Sequence, residues 1–208
     1  PHLFPVREAE NVVICVSGAK GMTVLISDII ADLHFIGDTE CFPLYWYEEN
    51  NNPQGSLFNE ADNSKHIRRD GVSDWILKEV RSRYGNTRSL TKEHIFYYIY
   101  GFLHSEQYRK RFAAELKKSL PRISFPDKVE DFLKFYNAGK KLAELHLHYE
   151  DVPAYPDVAV EGDNIEDNPY EFYSVQKMRF PSKTRRDTII YNGRIRVTGI
   201  PEKAYEYI

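Results

Sequence analysis

The side chains best equipped for chemistry are basic ones gathered near the C-terminus: Lys177, Arg179, Lys183, Arg185, Arg186, Arg194 and Arg196, with Tyr191 among them. Cations beside an aromatic ring suit a polyanion, because lysine and arginine hold phosphates while the arginine fork can also grip a base edge. A second patch, Lys65, Arg68 and Arg69, sits in a stretch rich in Asn, Pro and Gly. A third, Arg109, Lys110, Arg111, Lys117 and Lys118, falls on helix surfaces. A charge run is otherwise a solvated face, so these patches nominate nucleic-acid binding without establishing it.

The remaining chemical signals fail on spacing. Ser17-Gly-Ala-Lys-Gly21 follows a strand, but it lacks the Gly-x4-Gly-Lys-Ser/Thr pattern that cradles phosphates and is read as a turn. Asp167-Asn-Pro-Tyr170 is similar to the Asn/Asp-Pro-Pro-Tyr loop of amino-methyltransferases. It lacks the second proline, and no Gly-rich cofactor loop accompanies it. His146 and His148 on one helix point to nearly opposite sides, so one should pack and the other stay exposed instead of sharing a metal. His34 and His104 sit amid apolar residues, as hydrogen-bonded core histidines do. No active site is expected in this chain, and no cofactor or metal of its own.

The elements that must position the basic residues are legible from periodicity. The fold class expected is α+β, in one domain: an antiparallel or mixed N-terminal sheet lobe over about 1–70, a helical block over about 72–149, and a C-terminal β section over about 172–208. Strands are expected near 11–18, 22–30, 33–36 and 42–47, the last with Pro43 near its start or on an edge, and 50–70 is read as a surface loop. Ser73 caps a helix over 74–84 with Trp75, Ile76 and Val80 facing inward, and Gly85 ends it. Ile95, Ile99, Phe102 and Leu103, then Phe112 and Leu116, then Phe132, Phe135, Leu142 and Leu145 recur at helical spacing, giving three amphipathic helices. The acidic, proline-rich segment 150–172 reads as a long loop or a lobe boundary, and 174–180 as a strand. Asn192-Gly193 between alternating runs predicts a two-residue type I′ hairpin, which sets Tyr191 opposite Arg194 and Ile190 opposite Ile195.

A net charge of -3 confines any nucleic-acid surface to a local patch. Cys15 and Cys41 sit in apolar strand-like runs and are read as free thiols of a reducing cytosol. No apolar run reaches the ~18 residues of a membrane helix. The chain opens at Pro1 without a Met and is read as a piece of a longer polypeptide.

Taken together, ordered motifs carry a resemblance. They are Asp32-Leu-His34, Cys41-Phe-Pro-Leu-Tyr45, Asp70-Gly-Val-Ser-Asp-Trp75, Tyr98-Ile-Tyr-Gly-Phe-Leu-His-Ser105 and Leu120-Pro-Arg-Ile123. Gly139-Lys-Lys-Leu-Ala-Glu-Leu-His146, Lys177-Met-Arg-Phe180, Ile189-Ile-Tyr-Asn192 and Thr198-Gly-Ile-Pro201 continue the series. The chain resembles the C-terminal target-recognition (specificity) domain of Type ISP restriction–modification enzymes, also described as DNA methylase/helicase proteins. Glu40 stands where a glutamine is expected, and Ser124 where a proline would be usual; both departures are in framework motifs.

The resemblance implies one long bacterial, cytoplasmic polypeptide in which nuclease, helicase-like ATPase and adenine N6-methyltransferase parts precede this one. S-adenosylmethionine, ATP and Mg would belong to those parts. Double-stranded DNA and the methyltransferase domain of the same polypeptide would be the partners, with no membrane involved. Of the basic residues, Lys177, Arg179, Lys183, Arg185, Arg186, Arg194 and Arg196 with Tyr191 are expected at DNA ahead of Lys65, Arg68 and Arg69. The rival expectation is a lobe that docks the methyltransferase and never touches DNA.

Overall fold

A computed structural model describes residues 2–18, 22–50, 65–85, 89–162, 168–175 and 177–206. The turn expected after Ser17, most of the expected loop 50–70, and Asp167 lie outside them. The architecture is α+β as expected, and the chain divides into two compact units, Pro1–Tyr149 and Glu150–Ile208.

In the N-terminal unit, β1 (Val13–Ser17) is buried along its whole length and lies between β2 (Thr23–Ser27) and β3 (Glu40–Pro43), antiparallel to both. Pro43 closes the outer strand β3, where its missing N–H breaks no ladder. Cys15 faces Cys41 across the β1–β3 pair; both thiols are free, Cys15 buried and Cys41 half-buried. Burial, with Cys41 adding to it, pushes the Cys15 thiol up to about 12, so it is an inert core group.

The run expected as one strand over 42–47 is instead two. Leu44 is buried and anchored by its N–H to the Val12 carbonyl at 2.8 Å, and the chain turns there from β3 into β4 (Tyr45–Glu49). That strand pairs with β5 (His66–Asp70), a strand in what reads locally as loop. The pairing is held by side chains distant in sequence: Arg69 Nε donates to Glu48 at 2.8 Å, and the Arg68 guanidinium lies 4.3 Å from the Tyr45 ring centroid. The strand expected at 33–36 is absent. Asp32 accepts the His34 N–H in an Asx turn, and Gly37 and Asp38 follow at positive φ, which folds the segment into consecutive turns.

Ser73 caps α1 (Asp74–Arg83) and Gly85 follows it at φ +75, both as expected. Val80 is buried, but Trp75 is 68% exposed, because Ile76 and Val80 share the inward face and Trp75 lies one residue off it. The helix α2 (Lys92–Leu103) is apolar nearly all round because it is covered on two sides. One face packs Phe96, Tyr97, Tyr100 and Leu103 on Ile14, Val16, Val24 and Ile26 of the sheet. The other packs Ile95 and Tyr98 against Val80 and against Phe132 of α4 (Val129–Leu147), with Tyr98 and Phe132 stacked at 4.6 Å. The expected middle helix is curtailed to α3 (Glu106–Arg111), since over 112–118 only Leu116 is buried and a longer helix would have no face to hide.

Gly101 and Gly139 set the distance between α2 and α4. A Cβ on Gly101 would meet the Phe135 carbonyl oxygen at 2.3 Å, and one on Gly139 would meet that of Tyr97 at 2.0 Å. At the far end of this pair, the Tyr100 hydroxyl bonds Nδ1 of His146, and His104 Nδ1 donates to the Tyr100 carbonyl at 2.8 Å. His146 thus packs while His148 stays exposed beside Glu144, as expected. Burial holds both His104 and His146 below the usual histidine range. Arg109 adds to the effect at His104 against the Tyr100 and Val24 carbonyls, and His104 adds to it at His146.

The C-terminal unit holds a sheet ordered β6 (Ala159–Glu161), β8 (Arg196–Thr198), β7 (Ile189–Ile190), with the short helix α5 (Pro169–Tyr173) in the segment read as loop. A single turn of 3-10 helix, Glu202–Glu206, follows. Of the strand expected over 174–180, the described residues form one bridge, Arg179 to Ile190. Among the described residues no helix is long and apolar enough to cross a membrane.

Gly139→Ala should cost the N-terminal unit at least about 1–3 kcal/mol, because two backbones must separate. Gly193→Ala should stay within about 0.5 kcal/mol, as a Cβ there meets nothing within 4 Å. Urea unfolding of each variant checks both. The histidine pair makes a second expectation. Histidines held neutral take up protons more readily unfolded, so stability is full above pH ~6.5 and falls as pH drops through the lowered folded values. A urea midpoint unchanged between pH 7.5 and about 5.3, above the carboxylate range, would contradict this.

Candidate nucleic-acid interface

The hairpin of β7 and β8 is joined by Asn192, Gly193 and Arg194, and its register pairs Ile190 with Arg196 and Ile189 with Val197. This is one residue off the register that a two-residue type I′ turn would impose. Neither Asn192 nor Gly193 has positive φ. The Asn192 side chain closes the turn instead: its Oδ1 accepts the N–H groups of Arg194 and Ile195, each at 2.8 Å. Its Nδ2 donates to the carbonyls of Phe172 at 2.8 Å and Ser174 at 3.2 Å, at the end of α5. All four hydrogen-bonding positions of the amide are filled. Phe172 is buried beside this anchor.

The register decides which side chains share a face. Arg179 bridges Ile190, Ile190 pairs with Arg196, and Arg196 pairs with Glu161, so the four form one row across the sheet. Arg179 and Arg196 therefore straddle Ile190 at about two strand spacings, roughly 10 Å. They open onto a cleft of about 680 Å³ lined by Lys177, Arg179, Arg194 and Arg196 together with Glu171, Ser174, Ile190, Asn192 and Gly193. The four cations are exposed, and among the described residues none of them is in an ion pair. Glu161 turns to Thr198, whose hydroxyl donates to it at 3.2 Å. A positive face thus arises in a chain of net charge -3.

Four of the basic residues singled out in the sequence are brought together here; the others are not. Tyr191, which the expected register set beside Arg194, is one residue along from Ile190 and so turns to the other face with Ile195. Lys183, Arg185 and Arg186 are exposed outside the cleft lining, with Arg185 on Asp187 at 3.1 Å and Arg186 5.9 Å from the Phe180 ring centroid. Lys65, Arg68 and Arg69 belong to the N-terminal unit, where Arg68 and Arg69 are committed to Tyr45 and Glu48. Sequence reasoning missed Glu171, because the segment carrying it gave no helix signal beyond Asn168 followed by Pro169. That pair does cap α5: Asn168 Oδ1 accepts the Glu171 N–H and Pro169 starts the helix. Among the described residues no three His, Cys, Asp or Glu side chains converge as metal ligands.

The family model described as the Type ISP C-terminal specificity domain matches residues 1–208. The chain belongs to this family. The specificity-domain fold also recurs in solved structures of larger proteins. One is the ATP-dependent Type ISP restriction–modification enzyme LlaBIII bound to DNA, at 33% identity and TM-score 0.77. Another is a nuclease-deletion mutant of the Type ISP enzyme LlaGI with a DNA substrate mimic, at 35% and 0.70. A third is a DrdV–DNA complex, at 30% and 0.75. Each match covers 100% of this chain, which spans only 12%, 16% and 19% of those chains respectively. Among curated protein sequences none matches this specificity domain.

Asn192→Ala should lower the unfolding free energy of the specificity domain's C-terminal unit by about 1–3 kcal/mol, since two carbonyls and two N–H groups lose their partner. Asn192→Asp should retain part of that stability, keeping the acceptor side alone. Thermal unfolding with limited proteolysis after residue 150 checks the order wild type, Asp, Ala.

Proposed function

We propose that this chain is the DNA-reading part of a single-polypeptide Type ISP restriction–modification enzyme. It selects an asymmetric double-stranded site from which adenine N6 methylation, or ATP-dependent translocation and cleavage, is carried out by other domains. The observation that carries this reading is the cleft, where four exposed cations meet in an otherwise acidic chain. Arg179 and Arg196, about 10 Å apart across the sheet, match the scale of a major groove about 12 Å wide. The relatives LlaBIII and LlaGI are themselves DNA-bound in their solved structures. In this reading S-adenosylmethionine, ATP and magnesium are held by the other domains, the methyltransferase domain is the intramolecular partner, and the enzyme works in the cytoplasm.

Chemistry divides the labour within the cleft. A guanidinium reaching guanine O6 and N7 contributes ~1–3 kcal/mol of discrimination, whereas a cation on a phosphate contributes affinity that salt erodes. A second reading, a lobe that only docks the methyltransferase, is favoured by one feature of the N-terminal unit. Ile29, Ile30 and Leu33 are 69%, 75% and 62% exposed on one short stretch.

The test uses the natural polypeptide that carries this chain, binding random-sequence duplex DNA from about 50 to 200 mM salt. The pair Arg179→Ala and Arg196→Ala should weaken binding and flatten the log–log salt slope by up to about 1.8, some 0.9 for each phosphate no longer neutralised. The pair Arg68→Ala and Arg69→Ala, whose side chains are already engaged, should change it little. No effect from the Arg179→Ala and Arg196→Ala pair would remove the cleft from the interface and favour docking.

A further inference from the structure

We infer that Glu171 is a specificity-determining residue: its carboxylate accepts a hydrogen bond from the exocyclic amino group of a base in the major groove, cytosine N4 first. This rests on the DNA-reading function proposed above. Among the described residues Glu171 is the one acidic side chain lining the basic cleft, and it is exposed to it. A carboxylate placed there repels phosphates and lowers affinity for any DNA, so it needs a compensating role.

The structural roles open to it are not taken. Glu171 is the third residue of α5, where a capping box would have its carboxylate accept the Asn168 N–H. The cap runs one way only, from the Glu171 N–H to Asn168 Oδ1 at 3.4 Å. No ion pair joins Glu171 to Lys177, Arg179, Arg194 or Arg196 among the described residues, although all line the same cleft.

Its position is nonetheless fixed. The next residue, Phe172, is buried, and the Phe172 and Ser174 carbonyls are held by Asn192 at the hairpin tip. A charged acceptor is thus preorganised beside the cations, on an element locked by packing and hydrogen bonds. Asn192, the side chain in the cleft whose type would suit adenine, has no free donor or acceptor. In the major groove only cytosine N4 and adenine N6 offer amino donors, and a lone carboxylate matches the cytosine pattern, where no acceptor lies on the same base edge.

The experiment is selection from random-sequence duplex DNA by the natural polypeptide, wild type and with Glu171→Gln or Glu171→Ala, followed by sequencing of the retained DNA. The wild type should enrich a motif with a cytosine (or adenine) at one position. Glu171→Ala should lose that preference by roughly 5- to 150-fold while bulk affinity holds or rises, and Glu171→Gln should shift the position toward adenine, which glutamine grips at N6 and N7. Thermal unfolding of Glu171→Gln should match wild type. A wild-type motif left unchanged by both variants overturns the assignment of Glu171 alone. No motif from the wild type overturns the DNA-reading function and this inference with it.

Discussion

One side-chain amide holds the candidate site together. Asn192 accepts from two backbone N–H groups of its own turn and donates to two carbonyls at the end of α5, some 18 to 20 residues earlier in the chain. Because the side chain closes the turn, the backbone needs no left-handed residue there, and the loop has three residues instead of two. From that single extra residue follow the register, the row Arg179, Ile190, Arg196, and the removal of Tyr191 to the other face. Slipping a strand by one position exchanges its faces, so the chemistry of the cleft is set by how the turn is closed.

That dependence explains what could be read from the sequence. The α+β class, the cap at Ser73, the stop at Gly85 and the helical periodicity of Ile95, Ile99, Phe102 and Leu103 follow from local pattern, and the structure bears them out. Residue type alone nominates Lys177, Arg179, Arg194 and Arg196. Their convergence is not legible, because Asn-Gly is ordinarily the signature of a tighter turn and the partners of Asn192 are remote. The same holds for β5, which reads as loop until Tyr45 and Glu48 stand opposite Arg68 and Arg69. Trp75 and the 33–36 run depart from expectation for another reason: an apolar residue need not face inward, since 75 lies off the buried stripe and Asp32 turns the chain.

Concentrating cations is also how an acidic chain can meet a polyanion at all. With a net charge of -3, the chain as a whole offers no long-range attraction to a polyanion, and a Debye length of ~8 Å at physiological salt confines the field of the four clustered cations to their own neighbourhood. Such a surface discriminates at close range better than it captures from a distance. A recognition element that is a small part of a much larger chain, as in the related structures, can rely on the remainder for capture.

The glycine contact between α2 and α4 bears on motion. Helices separated by side chains can slide, because rotamers absorb the displacement. Where backbone meets backbone at Gly101 and Gly139 there is no such cushion, and shear between the two helices is blocked. Both glycines are buried in that contact, so their amide protons should exchange among the slowest of the N-terminal unit.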